Sequence, residues 1–263
     1  MDLKLSGKRV LVTGGSKGIG LAVVRAFLDE GAEVVAASRT KTPELDATGA
    51  TFVAADLAEP DGPRRAVEAV LAADPRLDVL VNNAGGGTMP DGAFDDLLDG
   101  SDDAWTDAFA LNLNAAVRTT RAALPALLQT RGAVVTIGST AARDPRGGPL
   151  PYVAAKAAVT AFSRGLAEKY AGAGVRFNVV TPGTTRTDVF ESKDGYAAQL
   201  ATHLGLEHAA LVAALPTQNG MLTGAMIEPD EIARAVLLLS SPTMPSAVGS
   251  NWLVDGGALK TAA

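Results

Sequence analysis

Tyr152 and Lys156 stand four residues apart in a segment of helical pattern, so both side chains leave one face of that helix. A phenol with a pKa near 10 is a poor acid or base at neutral pH, but a close ammonium favours the phenolate and lowers that value. Such a pair can exchange a proton with an oxygen of a bound molecule. The same spacing also describes an ordinary exposed helix pair, and Ser139 is what adds weight to the catalytic reading. It follows the apolar run 133–137 and so lies at the carboxyl end of a strand, where open α/β sheets place their ligands. Its hydroxyl can donate to a carbonyl and steady the charge that develops there. A serine nucleophile would need a general base, and neither His203 nor His208 lies near a matching loop.

A second constellation sits near the start of the chain. Val10-Leu11-Val12-Thr13-Gly14-Gly15-Ser16-Lys17-Gly18-Ile19-Gly20 leaves a strand and enters a helix. Glycines at this junction let backbone amides approach a pyrophosphate, and the helix N-terminus adds a positive partial charge to hold it. The spacing is G-x-x-x-G-x-G and departs from G-x-G-x-x-G, so the strand-turn-helix context carries the argument. A site for NAD(H) ends its second strand on a carboxylate for the ribose 2′-hydroxyl. Here the chain reads Ala37-Ser38-Arg39-Thr40, and the guanidinium of Arg39 suits a 2′-phosphate, with Lys17 able to add a second charge. The expectation is NADP(H) ahead of NAD(H).

Elements that can position these residues are legible. Apolar, β-branched runs at 9–13, 33–37, 51–54, 79–82, 133–137, 175–180 and 251–254 read as strands. Helical patterns at 19–30, 62–73, 102–129, 152–171 and 229–240 alternate with them, which implies a doubly wound, parallel, seven-stranded Rossmann-like α/β sheet. The length of 263 residues suits one such domain spanning 1–263. The stretch 184–227 is a long connection with only a weak helical pattern around 195–215, and it reads as a lid over the substrate. Its Leu200, Leu204, Leu211, Val212, Leu215, Met221, Leu222 and Met226 suggest an apolar ketone, or else burial of the lid against its own body.

Composition narrows the chemistry further. The absence of cysteine removes disulfides, thiolate catalysis and cysteine-ligated zinc. His203 and His208 are five apart, which is not the spacing of a helical metal pair, so no metal is expected. A net charge of −6 with no basic block argues against a nucleic-acid partner. No apolar run approaches the roughly 20 residues that span a bilayer, and residues 1–10 lack the layout of a secretory signal, so a cytoplasmic location is expected.

Assembled, these residues resemble the short-chain dehydrogenase/reductase family, nearly end to end, with likeness to its 3-oxoacyl-[acyl-carrier-protein] reductases. Thr13-Gly14-x-x-x-Gly18-x-Gly20 looks like the family's cofactor loop, and Asn82-Asn83-Ala84-Gly85 looks like its second signature. Asn112, Ser139, Tyr152 and Lys156 match its catalytic tetrad. The resemblance implies dinucleotide contacts at Gly14, Ser16, Lys17, Gly18, Ile19 and Gly20, at Ser38 and Arg39, and at Asp56 and Leu57 beside adenine. It implies more at Asn83, Ala84 and Gly85, at Tyr152 and Lys156, and along Pro182, Gly183, Thr185 and Thr187 beside the nicotinamide carboxamide. Hydride transfer between NADP(H) and a carbonyl or secondary alcohol follows, with a small-molecule substrate and a homotetramer whose interface includes the segment Val254-Asp255-Gly256-Gly257. An NAD-dependent alcohol dehydrogenase of the same family and a catalytically silent dinucleotide-binding regulator are the alternatives. Two departures from common members flank the expected entrance: a long acidic loop at 86–101 and the extended 184–227 stretch.

Overall fold

The structure is a computed structural model that describes residues 1–86, 101–145 and 148–260. Seven strands, β1 (Arg9–Thr13), β2 (Glu33–Ser38), β3 (Thr51–Ala54), β4 (Val79–Asn82), β5 (Ala133–Ile137), β6 (Arg176–Pro182) and β7 (Asn251–Val254), form one sheet in the order β3-β2-β1-β4-β5-β6-β7. Every pairing is parallel. Because helices cover both faces, the central strands β1, β4 and β5 are buried along their whole length and do not alternate. Val10 and Val12 of β1 pack with Val23, Val24 and Phe27 of α1 (Gly18–Asp29) and with Ile232 and Val236 of α10 (Pro229–Ser240). Leu11, pointing the other way, joins Val67 and Val70 of α3 (Gly62–Ala73) and Ala123 and Leu127 of α5 (Ala115–Thr130).

Connections run outward in both directions from β1 and β4, and the order reverses between them. That reversal opens a crevice at the carboxyl ends of these two strands, the place where doubly wound sheets bind ligands. The glycine loop lies at its edge, with the Gly14 amide donating to the Ala37 carbonyl of β2 at 2.8 Å.

Three differences from the sequence reading matter for the site. The single helix expected at 102–129 is broken into α4 (Asp102–Phe109), a π-helical turn at Ala110–Asn114, and α5. The helix carrying Tyr152 begins earlier, as α6 (Leu150–Tyr170), with Pro151 in its first turn, where a missing N–H costs nothing. The 184–227 stretch holds three helices, α7 (Asp188–Glu191), α8 (Tyr196–Leu204) and α9 (His208–Gln218), beside the short α2 (Pro43–Asp46) elsewhere in the chain.

Residues 184–227 carry a small core of their own: Ala197, Ala201, Leu211, Leu215 and Met226, with Leu200, Val212 and Phe190 against them. Met221 belongs to the main core, whereas Leu204 and Leu222 are exposed. Most of the apolar residues that hinted at an apolar substrate are therefore consumed by packing within the segment. His208 Nε2 donates to the Phe190 carbonyl at 2.8 Å, a structural role inside the same unit. Most of the acidic loop expected at 86–101, residues 87–100, lies outside the described residues. Among the described residues no helix is long and apolar enough to cross a membrane, and no three metal-ligating side chains cluster.

Candidate active site

Four strand ends build the crevice. Thr13, the last residue of β1, sends its hydroxyl to the Val81 carbonyl at 3.1 Å and accepts from the amides of Asn83 and Ala84 at 3.0 and 3.1 Å. Asn83 returns the tie, its Nδ2 donating to the carbonyls of Thr13 and Gly14 at 3.0 and 3.1 Å. Glycines are required where these segments meet. A Cβ on Gly20 would stand 2.2 Å from the Gly14 carbonyl oxygen and 2.5 Å from Asn83 Nδ2, and one on Gly14 would stand 2.9 Å from Ala84 Cα. Gly14 and Gly18 also hold positive φ, 65° and 55°. The glycines thus let the loop, the start of α1 and the end of β4 pack closely, and the first amides of α1, which lack intrahelical partners, suit a pyrophosphate.

The chemistry-bearing side chains gather beside this cradle. Lys156 is 4 % exposed and its Nζ donates to the Ile137 carbonyl at the end of β5, 3.0 Å away. The same nitrogen lies 5.8 Å from the centre of the Tyr152 ring. A Cβ on Gly85 would fall 2.9 Å from both Lys156 Nζ and Asn112 Oδ1, so these two groups close on one glycine from two sides. Asn112 sits in the π-turn. Its Nδ2 donates to the carbonyls of Ala108 and Gly86 at 2.9 and 2.8 Å, and its Oδ1 accepts from the Gly86 amide at 2.9 Å. The Ala108 carbonyl is one that regular α-helical pairing would reserve for a backbone amide, so the widened turn is what turns Asn112 toward β4. Ser139 starts the short 3₁₀ turn Thr140–Ala142 and also hydrogen-bonds the Tyr152 hydroxyl.

Ionisation differs from the sequence expectation. Burial pushes the Tyr152 phenol above its usual range, and the Ser139 hydrogen bond only partly pulls it back. Burial also lowers the Lys156 ammonium to about 8. The cost of desolvating phenolate dominates over the nearby ammonium, whose own hydrogen bond is directed to Ile137. A phenol that stays protonated is the form that can donate to a carbonyl oxygen.

The remaining expected contacts are distributed unevenly. Gly183 abuts the turn after β7, where a Cβ would meet Asp255 Cα at 2.9 Å. Pro182 ends β6, and Thr185 is buried with its hydroxyl donating to the Gly183 carbonyl at 3.0 Å. Thr187 packs its methyl 3.2 Å from the Cβ position of Gly18. Ile19 and Gly20 enter α1, Ser16 accepts through its carbonyl from Thr42 Oγ1 at 2.7 Å, and Ser38 donates to the Thr40 carbonyl at 3.0 Å. Asp56 is exposed, but the Leu57 side chain is buried in the core against α3, leaving only its backbone for a ligand. Arg39 is exposed beside the crevice, while Lys17 pairs with Asp188 at 3.6 Å. Thr13 and Thr42, which no spacing rule singles out as positioning residues, turn out to fasten the loop on both sides.

Comparison with known proteins settles the lineage. A family model described as short chain dehydrogenase matches residues 8–196. The chain belongs to the short-chain dehydrogenase family. It is 33% identical to an L-fucose dehydrogenase of Bos taurus over 98% of this chain and 92% of that protein. It is 30% identical to a 3-oxoacyl-[acyl-carrier-protein] reductase of Chlamydia pneumoniae over 98% and 99%. A crystal structure of L-sorbose reductase from Gluconobacter frateurii, complexed with NADPH and L-sorbose, superposes with a TM-score of 0.89 at 30% identity over the full length of both chains. The chain is an oxidoreductase of a family that works with a nicotinamide dinucleotide.

Proposed function

We propose that the protein reduces a carbonyl group, or oxidises the matching secondary alcohol, using NADP(H), with Tyr152 as the proton donor and acceptor. The observation that supports this most is that Lys156 and Asn112 both reach Gly85 while the Tyr152 ring lies 5.8 Å from the same amine, next to the loop that Gly14 and Gly20 pack against the end of β4. The residues present fit a dinucleotide: backbone amides at the start of α1 for the pyrophosphate, Arg39 and Lys17 for a 2′-phosphate, and the segment from Pro182 to Thr187 for the carboxamide end. When bound, the reduced dinucleotide supplies a hydride to the substrate carbon. Tyr152 then gives its proton to the substrate oxygen, and Ser139 donates a hydrogen bond to that same oxygen as negative charge builds. Lys156 holds the nicotinamide ribose and supplies positive charge beside the phenol. Asn112 fixes the Gly86 backbone and borders Lys156, where it can hold the water through which the amine and the phenol are reprotonated.

Arg39→Ala is expected to weaken NADPH binding by about tenfold or more while leaving NADH nearly unchanged, as loss of a charge-assisted hydrogen bond implies. Binding titrations of both cofactors check this, and equal losses, or a wild-type preference for NADH, would assign the protein to NAD(H). The pH profile has a definite sign. Lys156 is an ammonium below about 8 and loses that charge above it. Tyr152 remains a neutral phenol through the neutral range because its value is raised. For carbonyl reduction, kcat/KM should therefore hold on the acid side and fall as pH climbs through about 8, since kcat/KM reports the free enzyme. A profile that rises there would require an ionised base and would contradict the assignment.

Residues 184–227 close over the substrate in this reading, rooted by the parallel bridge between Thr185 and Ile227 and by Asn219 Nδ2 donating to Thr184 Oγ1 at 2.7 Å. With most of the apolar residues that hinted at such a substrate used in packing, the segment favours no apolar ketone over a polar one. Relatives named for L-fucose, L-sorbose and 3-oxoacyl substrates make ketohexoses, sugar lactols and 3-oxoacyl thioesters the first compounds to screen. The homotetramer, proposed from the family resemblance, is checked by light scattering on the eluted protein.

A further inference from the structure

The root of the 184–227 segment rests directly on the glycine loop. Thr187 packs against Gly18, and the next residue, Asp188, brings its carboxylate to 3.6 Å from Lys17 Nζ. On its other side the loop is held to the chain that leaves β2, through Thr42 Oγ1 donating to the Ser16 carbonyl, three residues beyond Arg39. Lys17 thus pairs with an anion on the lid root from within the loop that Thr42 ties to the chain carrying Arg39. Its side chain is 68% exposed and that of Asp188 62%, so the ammonium is free to swing from one to the other. Arg186, the neighbouring cation, is already engaged by Glu228 at 2.8 Å and Glu191 at 2.7 Å and does not take over Asp188.

Resting on the NADP(H) reading, we propose that Asp188 sets cofactor selectivity by competing with the adenosine 2′-phosphate for Lys17. A phosphate monoester carries close to two negative charges at neutral pH, so it outbids one carboxylate for a single ammonium. It must nevertheless first displace that carboxylate and then sit in its field. A cofactor that lacks the phosphate has no need of Lys17 and leaves the ion pair intact. Asp188 therefore tempers the preference for NADP(H), and it couples phosphate binding to release of a tether on the lid root. Coupling of this kind is reciprocal: whatever loosens the Lys17–Asp188 pair tightens NADP(H).

The test is a set of NADPH and NADH dissociation constants, read by cofactor fluorescence on the full-length protein, for wild type, Asp188→Asn, Lys17→Ala, the double variant and Arg39→Ala. Thermal melts confirm that each variant is folded. An exposed pair of this kind is worth a factor of about two to five, so Asp188→Asn should raise the ratio of NADH to NADPH dissociation constants by that much. In the Lys17→Ala background the same substitution should leave the ratio where it was. An unchanged ratio in Asp188→Asn overturns the proposal, and so does an equal rise in both backgrounds, which would mark a general field effect not routed through Lys17. If Arg39→Ala and Lys17→Ala both leave the ratio at its wild-type value, the NADP(H) reading fails instead, a result separate from either of these.

Discussion

Tyr152→Phe is expected to keep NADPH affinity at its wild-type value while kcat for carbonyl reduction falls by about 10²- to 10⁴-fold, the range general acid catalysis contributes. The substitution removes one oxygen. The ring stays packed at the start of α6, Lys156 stays bound to the Ile137 carbonyl, and the glycine cradle lies on other strands. What disappears is the proton that must reach the substrate oxygen as hydride reaches its carbon, together with the partner of the Ser139 hydroxyl. A loss of this size corresponds to about 3–5 kcal/mol of transition-state stabilisation. Cofactor absorbance followed with a panel of carbonyl compounds, alongside a binding titration, separates the two effects. Turnover within about tenfold of wild type would show that another group is the acid. Loss of binding together with turnover would show that the phenol helps to hold the cofactor.

Gly20→Ala is expected to damage both folding and binding, because its new methyl has nowhere to go. It would overlap a backbone oxygen at 2.2 Å and the Asn83 side chain at 2.5 Å, and both belong to the network that joins β1 to β4. Over-packing a rigid site costs about 1–3 kcal/mol, and in a chain of this size each kcal/mol lowers Tm by about 2–4 °C. Relief requires the Gly14 carbonyl or Asn83 to shift, which misaims the amides meant for the pyrophosphate. NADPH affinity should therefore drop by at least tenfold even at temperatures where the variant is folded, since about 1.4 kcal/mol is one decade. Gly172→Ala is the control: a Cβ there meets nothing within 4 Å, and Tm and affinity should stay unchanged. Wild-type behaviour of Gly20→Ala would mean that the loop tolerates a side chain and that close backbone approach is not its purpose.

Both predictions draw on residues visible in the sequence, and that visibility has limits with physical causes. The strands were legible because the central ones, 9–13, 79–82 and 133–137, are buried on both faces and read as short, mostly apolar runs, and the edge strands 51–54 and 251–254 keep enough apolar and β-branched residues to match to the residue as well. Tyr152 with Lys156 and the glycine loop were legible because helical spacing and a strand-to-helix turn are local properties. The Leu57 side chain is buried in the core, which leaves the expected adenine contact to its backbone, since position after a strand says where the backbone goes and not which way a side chain turns.

The π-turn at Ala110–Asn114 left no mark in the helical pattern, because Asn112 is aimed by a carbonyl and a glycine, Ala108 and Gly86, that only packing brings together. Likewise the raised value of the Tyr152 phenol follows from its burial, which is set by the surrounding chain and invisible in a four-residue spacing. The sequence by itself therefore determined the sheet, the family and the chemically able side chains, all encoded by short-range pattern. Tertiary structure alone decided which of them meet, which protons they keep, and that the start of the 184–227 stretch would reach back to Lys17, because long-range contact and desolvation exist only once distant segments are packed.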